Sequence, residues 1–261
     1  MNPTVVVNSI SVYPIKSLDG VVVSTARILA GGTLEHDREF AVFDDHGKWI
    51  NGKRDSRIHR IRAEYDLSGL LVSLRDADES QSRTFHLVEN QRELEAWFAD
   101  FFGVHVHLRR DPQNGFPDDV DSTGPTIVGA GTLREVSSWF GIADPEETRR
   151  RFRANIELTT DVPFWEDRLF GDAETQVEFR IGDVTVLGVN PCQRCAVPSR
   201  NPSTGVVIPD FQRVFTARRE ETLPRWAPLS RFNHYYRLSV NTRIPPSEAG
   251  KVIRCGNEVR I

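Results

Sequence analysis

The segment Pro191-Cys192-Gln193-Arg194-Cys195-Ala196-Val197-Pro198 holds two thiols at i and i+3 with a guanidinium between them. It follows a predicted strand, Val184 to Val189, so a loop presents it. Three reactive readings and one inert reading apply. A zinc knuckle needs a second pair of Cys or His ligands, and the only other cysteine is Cys255. A redox dithiol needs a helix N-terminus after the motif to lower a thiol pKa, and Pro198 and Asn201-Pro202 forbid a long helix there. A single thiolate bound to a soft or high-valent transition metal, near the charge of Arg194, needs neither. The inert reading is a pair of buried structural cysteines.

Four polar clusters at strand ends or in loops offer donors that a phosphate or a polar heterocycle needs. They are Tyr13-Pro14-Ile15-Lys16-Ser17, His36-Asp37-Arg38, Asp121-Ser122-Thr123-Gly124-Pro125 and Arg151-Phe152-Arg153-Ala154-Asn155-Ile156. Each alone reads as a cap, a salt bridge or a solvated loop. His105 and His107 alternate on one strand face and read as a solvated edge. Trp165-Glu166-Asp167 is expected to line a substrate entrance. Arg149-Arg150-Arg151 reads as a solvated helix end or a docking site for an acidic partner.

The elements that must position these residues are mostly strands. Val5 to Ile15 and Val21 to Leu29 are expected strands. Glu39 to Phe43 with Lys48 to Ile50, and Arg60 to Asp66 with Leu70 to Leu74, are expected hairpins, with Thr84 to Val88 a further strand. Leu94, Trp97, Phe98, Phe101 and Phe102 fall at helical spacing within Arg92 to Phe102. A strand over Val104 to Leu108 and a loop over Asp111 to Gly124 follow. Thr132 to Phe140 is a helix stopped by Gly141, and Glu146 to Phe152 another, with Asp144 as N-cap and Pro145 in its first turn. Strands are expected over Ala154 to Leu158, Gln176 to Ile181, Val184 to Val189, Tyr235 to Val240 and Lys251 to Arg254, with a helix over Phe211 to Glu221. The pattern is a β-rich α+β chain with inserted helices.

Composition narrows the class. The chain has 261 residues, a net charge of -4 and 39% hydrophobic residues, which excludes disorder and a dedicated nucleic-acid binder. No apolar run is long enough to span a membrane, and the N-terminus lacks a signal-peptide pattern. Three cysteines do not make a disulfide framework, so a cytoplasmic, reducing location is expected. Of the 33 basic residues only four are lysines. Guanidinium offers a planar fork to phosphate and carboxylate, although genome composition accounts for much of that excess.

The motifs taken in order (YPIKS, then RFRANI, then IGDVTVLGVNPCQRC, then NPSTG) resemble the MOSC family, the molybdenum-cofactor sulfurase C-terminal domain proteins, over nearly the whole chain. The layout is most similar to bacterial relatives of the mitochondrial amidoxime-reducing component. The resemblance implies a MOSC N-terminal β-barrel domain over residues 1–120 and a MOSC β-barrel domain over 121–261. It implies a molybdenum pyranopterin cofactor with Cys195 as the thiolate ligand of the metal and Cys192 as a neighbour. Lys16 and Ser17 would hold phosphate or pterin, Arg38 would contact the cofactor, and Thr123 would supply a hydroxyl. Arg153 and Asn155 would bind pterin or phosphate. Cys255 is expected to be structural.

Departures from the family pattern accompany this. Gly124 stands where the amidoxime-reducing relatives have serine, so a donor must come from backbone or be absent. Ala154 replaces a proline. Gly52-Lys53-Arg54 replaces a Gln-Arg pair, with Arg54 still expected to reach the site. Cys255-Gly256-Asn257 replaces a Gly-Asp turn. A ferredoxin-like extension is absent, so electrons are expected from a separate flavin or iron-sulfur protein. Three functions follow: reduction of small N-hydroxylated or N-oxide substrates by oxygen-atom transfer, sulfur carriage as a Cys195 persulfide, and noncatalytic cofactor binding.

Overall fold

A computed structural model describes residues 4–261. Its elements in chain order are β1 (Val7–Val12), β2 (Val21–Val23), β3 (Thr25–Arg27), β4 (Phe40–Asp44), β5 (Ile61–Asp66), β6 (Leu71–Asp76), β7 (Arg83–His86), α1 (Gln91–Phe102), β8 (Val106–Arg110) and β9 (Ile127–Gly129). Then come α2 (Ala130–Phe140), α3 (Pro145–Phe152), β10 (Ile156–Leu158), β11 (Val177–Ile181), β12 (Val184–Gln193), α4 (Phe211–Glu221), β13 (Arg237–Arg243), β14 (Val252–Arg254) and β15 (Val259–Arg260). Among the described residues the fold is β-rich with four inserted α-helices, as the alternation of short apolar runs and turn residues implies.

Eight strands form one sheet in the order β15-β11-β12-β13-β9-β10-β1-β2. All its pairs are antiparallel except β9 with β10, which are joined through α2 and α3. A single bridge, Val6 to Glu258, brings the start of β1 against the turn before β15. The sheet therefore curls back to within one bridge of closure. Its inner face buries Ile10, Ile127, Ile156, Val186 and Val240. Gly188 in β12 is obligatory, because a Cβ there would stand 1.5 Å from the carbonyl oxygen of Leu169.

A second core lies under the antiparallel pair β4-β8, the three-stranded sheet β5-β6-β7 and α1. Leu94, Trp97, Phe98 and Phe102 form the buried stripe of α1, and Gly103 ends it at φ 65°. A third, largely aromatic cluster joins α2, α3 and α4 through Val136, Phe152, Phe211 and Phe215.

Val7, Ile10, Val12, Ala26, Ile28 and Leu34 pack into the first core, through pairing of β1 with β10 and β3 with β14, while Ile15 and Leu18 pack into the second. The expected strand Val21 to Leu29 breaks at Ser24 and serves two sheets. β4 pairs with β8, more than sixty residues on, and also forms the expected hairpin with residues 48–50, through the Phe43–Trp49 bridge and the bonds of the Asp44 amide to the Lys48 carbonyl and the Ile50 amide to the Val42 carbonyl.

Candidate functional site

A cleft of about 920 Å³ opens between the two larger cores. Its walls come from the turn after β1, the turn before β4, the 49–62 segment, the 114–126 loop, the C-terminus of α3 and the end of β12. Three of the predicted site residues reach it from a left-handed backbone: Ser17 at φ 74°, Arg38 at φ 53° and Arg153 at φ 53°. That conformation costs a non-glycine residue about 1 kcal/mol, and such strain gathers at ligand sites. Local bonds hold it in place. Tyr13 donates its amide to Asp37 Oδ1 at 2.9 Å and accepts the Arg38 amide at 2.8 Å. The Arg153 amide closes α3 on the Arg149 carbonyl.

Positive charge dominates the interior. The Arg153 guanidinium stacks 4.1 Å over the Tyr13 ring and makes no side-chain hydrogen bond or ion pair among the described residues. Arg38 pairs with Asp37 and lies 3.8 Å from Asp118. Arg62 and Arg150 share Asp19, each at 3.2 Å. The Nε atoms of Arg62, Arg194 and Arg200 and Nε2 of His59 are buried donors or acceptors without a partner. Burial first, then Arg153, Arg200 and Arg62, push the His59 pKa down to about 4. A cleft that keeps an imidazole neutral in this way favours anionic ligands.

The two thiols of the CQRC loop differ. Cys192 accepts from Arg194 Nη1 at 3.2 Å, while Arg194 Nη2 donates to the Phe152 carbonyl at 2.6 Å. The charge of Arg194 thus rests on Cys192 and not on Cys195. Cys195 is half-buried on the cleft wall, and its Sγ makes no hydrogen bond among the described residues. The register of β12 against β13 slips between Pro191 and Gln193, a bulge that re-aims the side chains at this end of the strand. Only a three-residue 3-10 turn, Val197–Ser199, follows the motif, so no helix terminus acts on the thiols.

The predicted site residues separate by what their polar atoms already do. Ser17, Arg38, Thr123, Gly124, Arg153, Asn155 and Cys195 all line the cleft. The Thr123 hydroxyl, however, donates to the Gly31 carbonyl at 2.7 Å. The Gly124 amide donates to Thr242 at 2.9 Å, so it is not the expected backbone donor. A Cβ at residue 124 would come 2.8 Å from the Thr242 carbonyl oxygen, which explains the missing serine. The Asn155 carboxamide is largely committed: Oδ1 accepts from the Thr126 amide and hydroxyl, and Nδ2 donates to the Ser11 carbonyl. One of the two Nδ2 hydrogens is left without a partner among the described residues.

Lys16 lies behind the wall. Its Nζ is buried, donating to the Phe116 carbonyl at 2.8 Å and to Asp118 at 2.6 Å. Desolvation opposes it, but Arg38 and then Lys16 hold the Asp118 carboxyl well below the usual range. Asp118, itself exposed at the cleft mouth, thus occupies the Lys16 and Arg38 cations. Arg54 does not reach the site, because it pairs with Asp44 and the Trp49 carbonyl on the exposed side of the β4 turn. Glu166 and Asp167 are core residues, bonded to Thr132 and Arg219, and line no entrance. Arg149, Arg150 and Arg151 are bound to Glu157, Asp19 and Glu147 and form no open docking patch. Cys255 is exposed, contrary to the structural role expected of it.

His59, Arg62, Arg200, Asp19 and Asp118 are site residues that motif reading misses. Only the Asn201-Pro202 turn, whose Pro202 carbonyl accepts from Arg62 and Arg150, hints in sequence at the neighbourhood of Arg200.

Known proteins extend these observations. Residues 4–105 match the MOSC N-terminal beta barrel domain, and residues 127–260 match the MOSC domain. Molybdenum cofactor sulfurase of Drosophila grimshawi is 27% identical over 233 residues, covering 77% of this chain and 29% of that protein. The chain thus spans less than a third of that relative. Mitochondrial amidoxime reducing component 2 of Homo sapiens is 24% identical over 239 residues, covering 75% of this chain and 67% of that one. The YUAD protein from Bacillus subtilis is 11% identical with a TM-score of 0.39, covering 98% of this chain and 94% of that one. With two domain matches that together take in most of its length, the chain belongs to the MOSC domain family.

Proposed function

We propose that the protein is a molybdenum-cofactor-dependent oxidoreductase acting on small N-hydroxylated or N-oxide compounds. The observation that carries this reading is one cleft holding both a free half-buried thiol, Cys195, and an unpaired guanidinium, Arg153. The residues fit an anionic pterin phosphate: orphaned Nε atoms of Arg62, Arg194 and Arg200 need acceptors, and the cleft volume suits a cofactor-sized ligand. When bound, the molybdenum pyranopterin supplies oxygen-atom abstraction and two-electron redox chemistry.

The chain's own residues bind and orient. Cys195 would ligate the metal as thiolate, which suits a soft or high-valent ion. Arg153 and Arg38 would hold the phosphate or pterin edge, with Ser17 contributing its hydroxyl. Tyr13 keeps Arg153 in place by its ring face. The His59 ring, neutral with its Nε2 unpartnered, would be able to take up a proton once an anion offsets the surrounding arginines. Electrons would come from a separate flavin or iron-sulfur protein in a reducing, cytoplasmic compartment, in keeping with the free thiols of all three cysteines. No helix of the described residues is long and apolar enough to cross a membrane.

Metal analysis of protein made in a cofactor-producing host tests this. The wild type should carry about one molybdenum per chain and reduce benzamidoxime with a chemical reductant, and Cys195→Ser should lose both. Near-zero molybdenum in both proteins would sink the reading. The likeness to the sulfurase favours a second reading, a Cys195 persulfide carrier. It requires cyanide-labile sulfur on Cys195 after incubation with a cysteine desulfurase and cysteine, and its absence counts against that reading.

A further inference from the structure

Away from the cleft, β4 and β8 run antiparallel with Phe43 opposite His107 and Asp44 opposite Val106. Continuing that register one step sets Asp45 opposite His105. A strand's period of two puts His105 and His107 on the same face. The Asp45 carboxylate sits between them, with Oδ1 at 2.7 Å from His105 Nδ1 and 3.1 Å from His107 Nε2. The three ligand atoms all lie within 4.8 Å of one another, and the two rings meet edge to face with centroids 4.8 Å apart. Asp45 Oδ2 has no partner among the described residues, so the carboxylate can still bind an ion through either oxygen.

The turn carrying Asp45 is itself fixed. Asp44 Oδ1 accepts the amides of His46 and Lys48, and the Asp44 amide donates to Lys48. No loop closure is therefore needed to assemble the cluster. All three side chains are exposed, so the position facing solvent is open.

We propose that Asp45, His105 and His107 form a surface site for a divalent first-row transition ion, separate from the cofactor cleft. Two imidazoles and one carboxylate select borderline ions such as Zn²⁺, Ni²⁺ or Cu²⁺ over Mg²⁺ and Ca²⁺, which prefer oxygen. A tetrahedral ion with bonds of about 2.0–2.1 Å needs donors about 3.3 Å apart, so small rotamer changes from the present spacing suffice. Water or a donor from another molecule would complete the coordination. The ion would clamp the open end of the β4-β8 pair, which covers the second core. His105 and His107, read from sequence as a solvated edge, acquire a role because Asp45 arrives from the turn after β4, sixty residues before His105.

Calorimetric titration of Zn²⁺ tests the site, with Cys192, Cys195 and Cys255 all changed to Ser so that no thiol competes. The triple-Ser protein should bind one Zn²⁺ per chain, and adding His105→Ala and His107→Ala should weaken binding at least tenfold. His46→Ala should leave it unchanged. In NMR spectra Zn²⁺ should shift the ring signals of His105 and His107 and leave His59 in place. Binding that is absent from the triple-Ser protein, or undiminished by the two His→Ala changes, would overturn the proposal. Circular dichroism of each variant establishes that the fold is intact.

Discussion

At the residue scale the cleft is defined by which polar atoms remain free. Arg153 and Cys195 are neighbours of committed groups, Asn155 and Cys192, whose side chains hold backbone or guanidinium. His59 reports on the balance of charge. Its pKa of about 4 lies below the ordinary 6.5, so the unfolded chain binds the proton more tightly. The stability it contributes is present above pH 6.5 and is lost as pH falls through about 4. An anion bound beside Arg153 should relieve the repulsion. NMR titration should show the His59 pKa rising when inorganic phosphate saturates the cleft. Arg153→Ala should raise it without phosphate and remove the response. An unchanged His59 pKa in both experiments would mean that the cleft does not bind anions next to this ring.

At the element scale the 3-10 turn Trp165–Leu169 locks β9, α2 and α4 together. Glu166 Oε2 accepts from the Thr132 hydroxyl at 2.8 Å while Oε1 is buried and unpartnered. Burial first, then Asp167, pushes the Glu166 pKa up to about 7. The folded state therefore binds this proton more tightly than the unfolded chain. The stability Glu166 contributes is full below the ordinary carboxyl value of 4.5 and is lost as pH rises through about 7. Glu166→Gln should flatten the dependence of Tm on pH between about 5 and 8, removing a loss on the order of 3 kcal/mol. Calorimetry at several pH values checks this, and an unaltered slope would show that the carboxyl stays charged. Trp165-Glu166-Asp167 does not line the entrance expected from sequence. Arg219, arriving from α4, makes Asp167 a core residue instead.

At the scale of the whole molecule the chain passes between cores within a few residues. Val12 belongs to the core of the eight-stranded sheet, and Ile15 and Leu18 belong to the other. Tyr13, between them, lines the cleft. The two cores should therefore unfold together. In urea, tryptophan fluorescence and far-ultraviolet circular dichroism should give the same midpoint, because α1 carries Trp97 in one core and Trp165 lies against the other. Two separated midpoints would show that the lobes are independent. Loading with cofactor should raise the shared midpoint, since a ligand that binds only the folded state stabilises it.

The sequence by itself determined the elements and the inventory of reactive groups. Helical spacing placed α1 within one residue of its start, the Asp144-Pro145 pair marked the start of α3, and α4 runs from Phe211 to Glu221 as expected. These signals are local: caps, turns and apolar periods act within a few residues. Only the tertiary structure decided which groups are free. Asn155 is held by Ser11, 144 positions away, Lys16 by Asp118, 102 away, and Arg54 is turned outward by Asp44. It also decided that Asp45 meets two histidines across a strand pair. The physical reason is that a donor's availability depends on its partners, and buried donors take partners wherever the nonlocal packing supplies them.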